Sequence, residues 1–264
     1  MTAGYLMESD AEGARLRDKT EYAFSKSNLI QAGLKPGMSS IDIGCGIGLL
    51  TRVMHELSCG SVTVGVDASA ERIHSALRDT APDASISFVH ADAQRIPLEA
   101  NSFDFAWSRF LFEYLTDPAA VLREMIRLTR PGGTVAVADL DGQMLGFHPQ
   151  SEAVSEHLGE AMKLLKRAGF DPFVGRKLFS LFRSCSLRQV TATVIPYQIY
   201  CGGLPPNAKT NWNLKLSAAV KRLEQLDATR NWQSFAQAMM DDLDREDAFY
   251  YSIMILVCGT KSQM

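Results

Sequence analysis

Residues 41–48, Ile41-Asp42-Ile43-Gly44-Cys45-Gly46-Ile47-Gly48, decide the fold. A short apolar run, Ser40 to Ile43, breaks into three alternating glycines and resumes as the helical stretch Leu49 to Leu57. Glycine lets a backbone turn sharply and lets a ligand approach to contact distance, and the N–H groups that open a helix favour a carboxylate or phosphate. The unit is strand, glycine turn, helix. On its own it also fits a tight turn with no ligand, so the flanking sequence has to decide.

Downstream, Ser61 to Val66 reads as a second strand ending in Asp67, and Ala70 to Arg78 as a helix. Ile86 to His90, Phe103 to Trp107 and Thr134 to Ala138 read as strands three to five, with a helix over Ala119 to Leu128 and a turn at Pro131-Gly132-Gly133. Strands alternating with helices at this spacing imply parallel βαβ units with right-handed crossovers, hence a doubly wound Rossmann-like α/β sheet. Beyond Asp139, Ser151 to Ala168 and Gly175 to Cys185 look helical, while Gln189 to Tyr200 and Phe249 to Cys258 read as the sixth and seventh strands. Two amphipathic helical stretches lie between them. The expected organisation is a core over 36–201 and 248–264, with 202–247 as a helical insertion that forms, with the N-terminal helix, the lid and substrate walls.

Upstream, Leu16, Thr20, Ala23, Phe24, Ser27 and Ile30 recur at helical spacing. They predict an amphipathic helix over 12–32, within an N-terminal cap of residues 1–35.

The whole chain has 264 residues, 46% hydrophobic and 22% charged, enough to bury a substantial core in one domain. A net charge of −3 gives no long-range attraction to phosphate backbones or anionic lipid, so neither nucleic acid nor membrane is expected as a partner. The five cysteines are scattered and form no metal-ligand spacing; a reducing cytoplasm is expected, and no metal. The charged N-terminus does not read as a signal peptide.

Three acids then fall at one sheet edge. Asp42 falls near the end of the first strand, and Asp67 follows 25 positions later at the end of the second, where a carboxylate can accept from both ribose hydroxyls or cap the next helix. Asp92, in Ala91-Asp92-Ala93 after the third, can accept from an adenine amino group.

With these residues in order, the chain resembles the class I S-adenosylmethionine-dependent methyltransferases, specifically the small-molecule group of ubiquinone-biosynthesis type (methyltransferase types 11 and 25). IDIGCGIG is similar to that family's first motif, GVDAS to its ribose-binding turn, HADAQRIPLEANSFD to its adenine loop, and FAWSRFLFEYLTDPAAVLREMIRLTRPGG to its fourth-strand signature. The resemblance covers residues 36–141. It implies a seven-stranded sheet whose last strand is antiparallel, with S-adenosylmethionine as the cofactor. It further implies that Asp42 and the backbone of Gly44, Cys45, Gly46 and Gly48 hold the methionine portion, and that Asp67 takes the ribose. Asp92 and Ala93 would meet the adenine, Ala68 would pack beside it, and Ser108, Arg109 and Phe110 would line the sulfonium side. For Arg109 a surface ion pair is the other reading.

A dinucleotide oxidoreductase is the alternative, and a cofactor-binding protein without catalysis a third. Here the glycines run Gly44-x-Gly46-x-Gly48 rather than G-x-G-x-x-G. Asp42 inside the turn would repel a pyrophosphate but attract an ammonium.

Methyl transfer is an in-line displacement that needs alignment more than a nucleophilic side chain. If the acceptor must lose a proton, His148 is the first candidate base, since it follows the fifth strand closely and histidine titrates near neutrality. A solvent-exposed loop histidine is its other reading. Tyr114, Glu113, Asp141 and His157 are weaker candidates. The stretches DLDGQMLGFHPQSE and GRKLFSLFRSC are similar to a bacterial subgroup acting on secondary metabolites. The aromatics Phe147, Phe173, Phe179, Phe182, Tyr197, Tyr200, Trp212 and Trp232 could line an apolar pocket or simply fill the core.

Overall fold

The computed structural model describes residues 22–143 and 145–263. In chain order the elements are α1 (Tyr22–Gln31), β1 (Ser40–Ile43), α2 (Leu49–Leu57), β2 (Thr63–Asp67), α3 (Ala70–Arg78), β3 (Ile86–His90), β4 (Phe103–Arg109), α4 (Pro118–Leu128) and β5 (Thr129–Asp141). There follow β6 (Phe147–His148), α5 (Glu152–Arg167), α6 (Leu178–Ser184), β7 (Arg188–Cys201), α7 (Pro206–Leu226), α8 (Trp232–Leu243) and β8 (Phe249–Thr260).

The sheet runs β3-β2-β1-β4-β5-β8, with β7 on the far side of β8. The first five strands pair in parallel, and β8 is antiparallel to both β5 and β7. The seven expected strands are present, and the two-residue β6 adds an eighth by pairing with Tyr250 and Phe249. Because β7 occupies the other edge of β8 along its length, β6 continues the line of β5. Every residue of β1 and β2 is buried, as parallel strands covered on both faces require.

On one face, α1 and α2 pack against Phe105, Trp107, Ala138, Met254 and Leu256. On the other, α4 and α6 cover Ile41, Ile43, Val64, Val66, Val135 and Val137. Val121, Leu122, Met125 and Leu128 lie on the inward stripe of α4, fully buried. Each such apolar side chain stabilises the fold by about 1.5–3 kcal/mol. Caps fix where the helices begin: Ser69 Oγ accepts from Arg72 N on α3, and Asp117 accepts from Ala120 N ahead of Pro118 on α4.

A third apolar layer joins α5, α7 and α8 around Trp212, Trp232 and Tyr250. The helical body beside the sheet therefore includes α5 as well as the 202–247 segment. Sequence spacing cannot show this, because α5 reads like an ordinary crossover helix and only its packing partners reveal where it goes.

Two expectations are corrected. Pro131-Gly132-Gly133 does not separate α4 from a short strand. β5 begins at Thr129 and absorbs these residues as an irregularity, its register with β4 jumping from Phe103–Thr129 to Phe105–Thr134. Gly132, at φ +79°, takes the strain and donates its N–H to Lys261 O. The N-terminal helix is also phased differently: Ser25, Asn28 and Leu29 are buried, whereas Ile30 is 54% exposed. Apolar periodicity picked the wrong face because two of the inward residues are polar. Residues 12–21 of that expected helix lie outside the described residues.

Candidate functional site

The carboxyl ends of β1, β2 and β4 meet at one edge. The register places Asp42 opposite Gly65 on β2 and Trp107 on β4, so the glycine turn leaves the sheet beside Asp67 and Arg109. Such a crevice outside the strand ends is where open α/β sheets bind ligands.

The turn is built by positive backbone φ at Gly44 (+78°), Gly46 (+55°) and Gly48 (+75°). At Gly48 a Cβ would also sit 2.6 Å from the Phe88 ring, so no larger residue fits. The loop's amides are not bare donors. Gly44 N and Cys45 N both donate to Val66 O, Gly46 N to Asp67, and Gly48 N to Cys45 O. The glycines therefore supply shape, while Gly48, as the cap of α2, has no side chain to satisfy that helix's first amides.

Asp67 is buried. Its Oδ2 accepts from Gly46 N at 2.8 Å and its Oδ1 from Ser69 N at 2.9 Å. Ser69, not Asp67, caps α3. A carboxylate offers about four lone-pair sites, so two remain for a ligand.

Asp42 is 2% exposed and accepts from Thr51 Oγ1 at 2.7 Å. Burial pushes its carboxyl up to about 6, against the Thr51 hydrogen bond and the Arg109 charge, which both pull it down. Burial, followed by the charges of Asp42 and Asp67, raises the Cys45 thiol well above its ordinary value, so it stays neutral.

Asp92, Ala93 and Ala68 lie at the open end. Asp92 is exposed, and its Oδ1 accepts from Gln94 N at 2.9 Å. Glu124 and Arg127 of α4 hold the following loop: Glu124 accepts from Ile96 N at 2.7 Å, and Arg127 donates to Ile96 O and Leu98 O. His90 Nε2 lies 3.0 Å from Ala68 O.

Ser108 is fully buried and donates to Ile43 O at 2.8 Å, bracing β4 against β1 rather than lining open space. Arg109 is half-buried: its Nη1 donates to Ser25 Oγ at 3.1 Å, and its guanidinium lies 5.0 Å from the centre of the Phe110 ring. Among the described residues it forms no ion pair. Phe110 carries an uncommon positive φ of +57° and donates its N–H to Ala138 O.

His148 is exposed on β6, paired through its backbone with Phe249. That puts it in line with β5, beyond that strand's end and on the far side of β4 from Asp42 and Asp67. Asp141 is held by Arg176, with Nη2–Oδ2 at 2.7 Å and Nε–Oδ1 at 2.9 Å, so it serves as a structural clamp. His157 Nδ1 lies 2.9 Å from Ala153 O and its ring meets Trp232 and Phe235, joining α5 to α8. Tyr114 stacks at a tilt on Phe170.

Of the aromatics considered as pocket lining, Phe182, Trp212 and Trp232 are core. Tyr197 lies beside the site, its ring centre 5.2 Å from Phe110 and 5.9 Å from Phe24.

Sequence reasoning missed Ser25, Thr51 and Asp139. Asp139 is fully buried and accepts from Phe112 N, Glu113 N and Leu140 N, tying the loop after β4 to the end of β5. Burial and the neighbouring Glu113 raise its carboxyl. An acid ending the fifth strand was the available signal.

Comparison with known proteins bears on the same edge. Residues 41–137 match the family profile described as "Methyltransferase domain". Over 106 residues the chain is 33% identical to the 2-methyl-6-phytyl-1,4-hydroquinone methyltransferase of Synechocystis, covering 40% of this chain and 33% of that protein. Over 124 residues it is 32% identical to the demethylmenaquinone methyltransferase of Staphylococcus aureus, covering 46% and 51%. The chain thus spans a third to half of the length of these relatives. Among solved structures, Haemonchus contortus phosphoethanolamine N-methyltransferase 2, with S-adenosylhomocysteine bound, superposes with a TM-score of 0.58 at 18% identity, covering 91% of this chain and 53% of that one. At that identity the likeness shows the fold.

Proposed function

Residues 41–137 form a domain of the class I S-adenosylmethionine-dependent methyltransferase family, and from that premise we propose that this protein transfers a methyl group from S-adenosylmethionine to a small-molecule acceptor. The observation that carries the reading is the Asp67 carboxylate. It is buried at the tip of β2, fixed by two backbone amides, and keeps lone pairs for a ribose.

The residues fit that cofactor. Asp42 offers a buried negative charge, with no ion pair among the described residues, where an ammonium would arrive, and Asp92 offers a carboxylate where an adenine amino group would. When bound, S-adenosylmethionine supplies a methyl carbon made electrophilic by its sulfonium. The chain's own contribution is then to hold, align and exclude water, which can lower a barrier by several kcal/mol without any covalent participation. Gly44 to Gly48 give the close approach, Thr51 orients Asp42, and Ser108 fixes the spacing of β1 and β4. Asp139 holds the backbone of the loop that follows β4.

In this reading α1 and the α5, α7 and α8 layer form the acceptor's walls. His148, exposed just beyond the end of β5, is the histidine to test as a base. The acceptor belongs to the organic small molecules, secondary metabolites among them, since the charge of −3 offers little to a polyanion.

The test is formation of S-adenosylhomocysteine when the purified protein, given S-adenosylmethionine, meets a panel of phenols, enols, amines and thiols. Product above the no-acceptor blank supports transfer. Cofactor binding with no turnover across the panel would favour the cofactor-binding protein without catalysis.

A further inference from the structure

Side chains on the sheet face under α1 and α2 follow a simple register. On β8, Tyr250, Ser252, Met254 and Leu256 are all buried. Met254 and Leu256 join the apolar layer of α1 and α2, whereas Tyr250 joins that of α5, α7 and α8. Between them sits Ser252, and opposite it on β7 is Gln198, whose buried Oε1 has no hydrogen-bond partner among the described residues. One sheet face therefore carries two apolar layers with a polar floor between them.

At the end of β4 stands Arg109, in register through Ala138 with Leu256 of the α1 and α2 layer. Its hydrogen bond to Ser25 is its one such bond, and it forms no ion pair, among the described residues. Burial pulls its acidity one way, while Tyr197 and then Asp42 pull it the other. One turn along α1 from Ser25, Asn28 is 2% exposed and its Nδ2 also lacks a partner among the described residues. Both are turned inward, which is the polar phase of α1 that apolar periodicity misread. A partly buried cation and a buried amide, each short of acceptors, cost free energy unless a ligand completes them. The strained φ of Phe110, the next residue, is where such a demand would be stored.

We propose that Arg109, Ser25 and Asn28 anchor an anionic oxygen, carboxylate or phenolate, of an aromatic methyl acceptor whose ring lies among Phe24, Phe110 and Tyr197. The inference rests on the methyltransferase reading and adds the acceptor's charge and shape to it. Arg109 presents a planar fork suited to a carboxylate, and the hydroxyl of Ser25, which already accepts from Arg109, is left able to donate. Phe24 and Phe110 pack at a tilt directly on Tyr197 and together make an aromatic wall for a guest ring to lie against.

Two probes of one shape and opposite charge test this: 2-naphthoate and 2-naphthylmethylammonium, titrated calorimetrically into protein saturated with S-adenosylhomocysteine. The expected result is binding of the naphthoate at least about tenfold tighter than the ammonium. Arg109→Met should remove at least about tenfold of the naphthoate affinity, a larger factor than it removes from S-adenosylhomocysteine affinity, and Arg109→Lys should restore part of it. If Arg109→Met does not fold, Asn28→Leu should weaken the naphthoate selectively. No naphthoate binding, equal binding of the two probes, or a loss confined to S-adenosylhomocysteine would overturn the proposal. The last result would hand Arg109 to the cofactor's carboxylate. Failure of the unmodified protein to bind S-adenosylhomocysteine would instead strike the methyltransferase reading itself.

Discussion

The backbone N–H of Gly46 meets the carboxylate of Asp67 at 2.8 Å, so the glycine turn after β1 and the acid ending β2 are a single unit. Changing either residue should disturb the other.

Asp67→Ala should weaken S-adenosylhomocysteine binding by about 1–3 kcal/mol, roughly 5- to 150-fold, through loss of a charge-assisted hydrogen bond and of the loop's tether. Calorimetric titration measures this. Unchanged affinity would mean that the carboxylate only holds the loop.

Asp42 carries a pH dependence. Its carboxyl is raised to about 6 from 3.8, so between these values the folded protein binds its proton more tightly than the unfolded chain does. Stability from this group is therefore lost as pH rises through that window, by about 3 kcal/mol in total. Asp42→Asn should be more stable than the parent at pH 7.5 but similar near pH 4, as read by urea unfolding. The same change should weaken cofactor binding at pH 7.5, and in the parent that binding should fall as pH drops below about 6.

Two glycines separate backbone strain from crowding. Gly48 and Gly60 have nearly the same φ, +75° and +76°, but a Cβ at Gly48 meets Phe88 at 2.6 Å while one at Gly60 meets nothing within 4 Å. Gly60→Ala should cost about 1–2 kcal/mol, a few degrees in Tm, and Gly48→Ala at least twice that. Equal losses in thermal unfolding would remove the packing argument at the turn.

His148→Ala should leave stability within about 0.5 kcal/mol, because the side chain is exposed and only its backbone pairs. Its pH–rate profile should match the parent's. Loss of a limb near neutrality would make His148 the base after all.

The alternation of strands and helices was legible because parallel strands buried on both faces leave short apolar runs, as Val64 to Val66 and Val135 to Ala138 show. The acids at strand ends were legible for the same reason: a charge that interrupts such a run must lie at an edge. What stayed hidden depends on contacts distant in sequence. Thr51 reaches Asp42, Asp139 gathers the amides of Phe112 and Glu113, and α5 joins α7 and α8 rather than the sheet alone. Ser25 and Asn28 were hidden differently, since hydrophobic periodicity cannot register a helix whose inward face is partly polar.

The most direct test is a titration of the purified protein with S-adenosylhomocysteine, with NAD as the comparison ligand. Saturable one-to-one binding of the former, diminished in Asp67→Ala, with no binding of NAD, is the expected result. Folded protein that ignores S-adenosylhomocysteine, or that prefers NAD, would contradict the assignment of these strand ends to a sulfonium nucleoside.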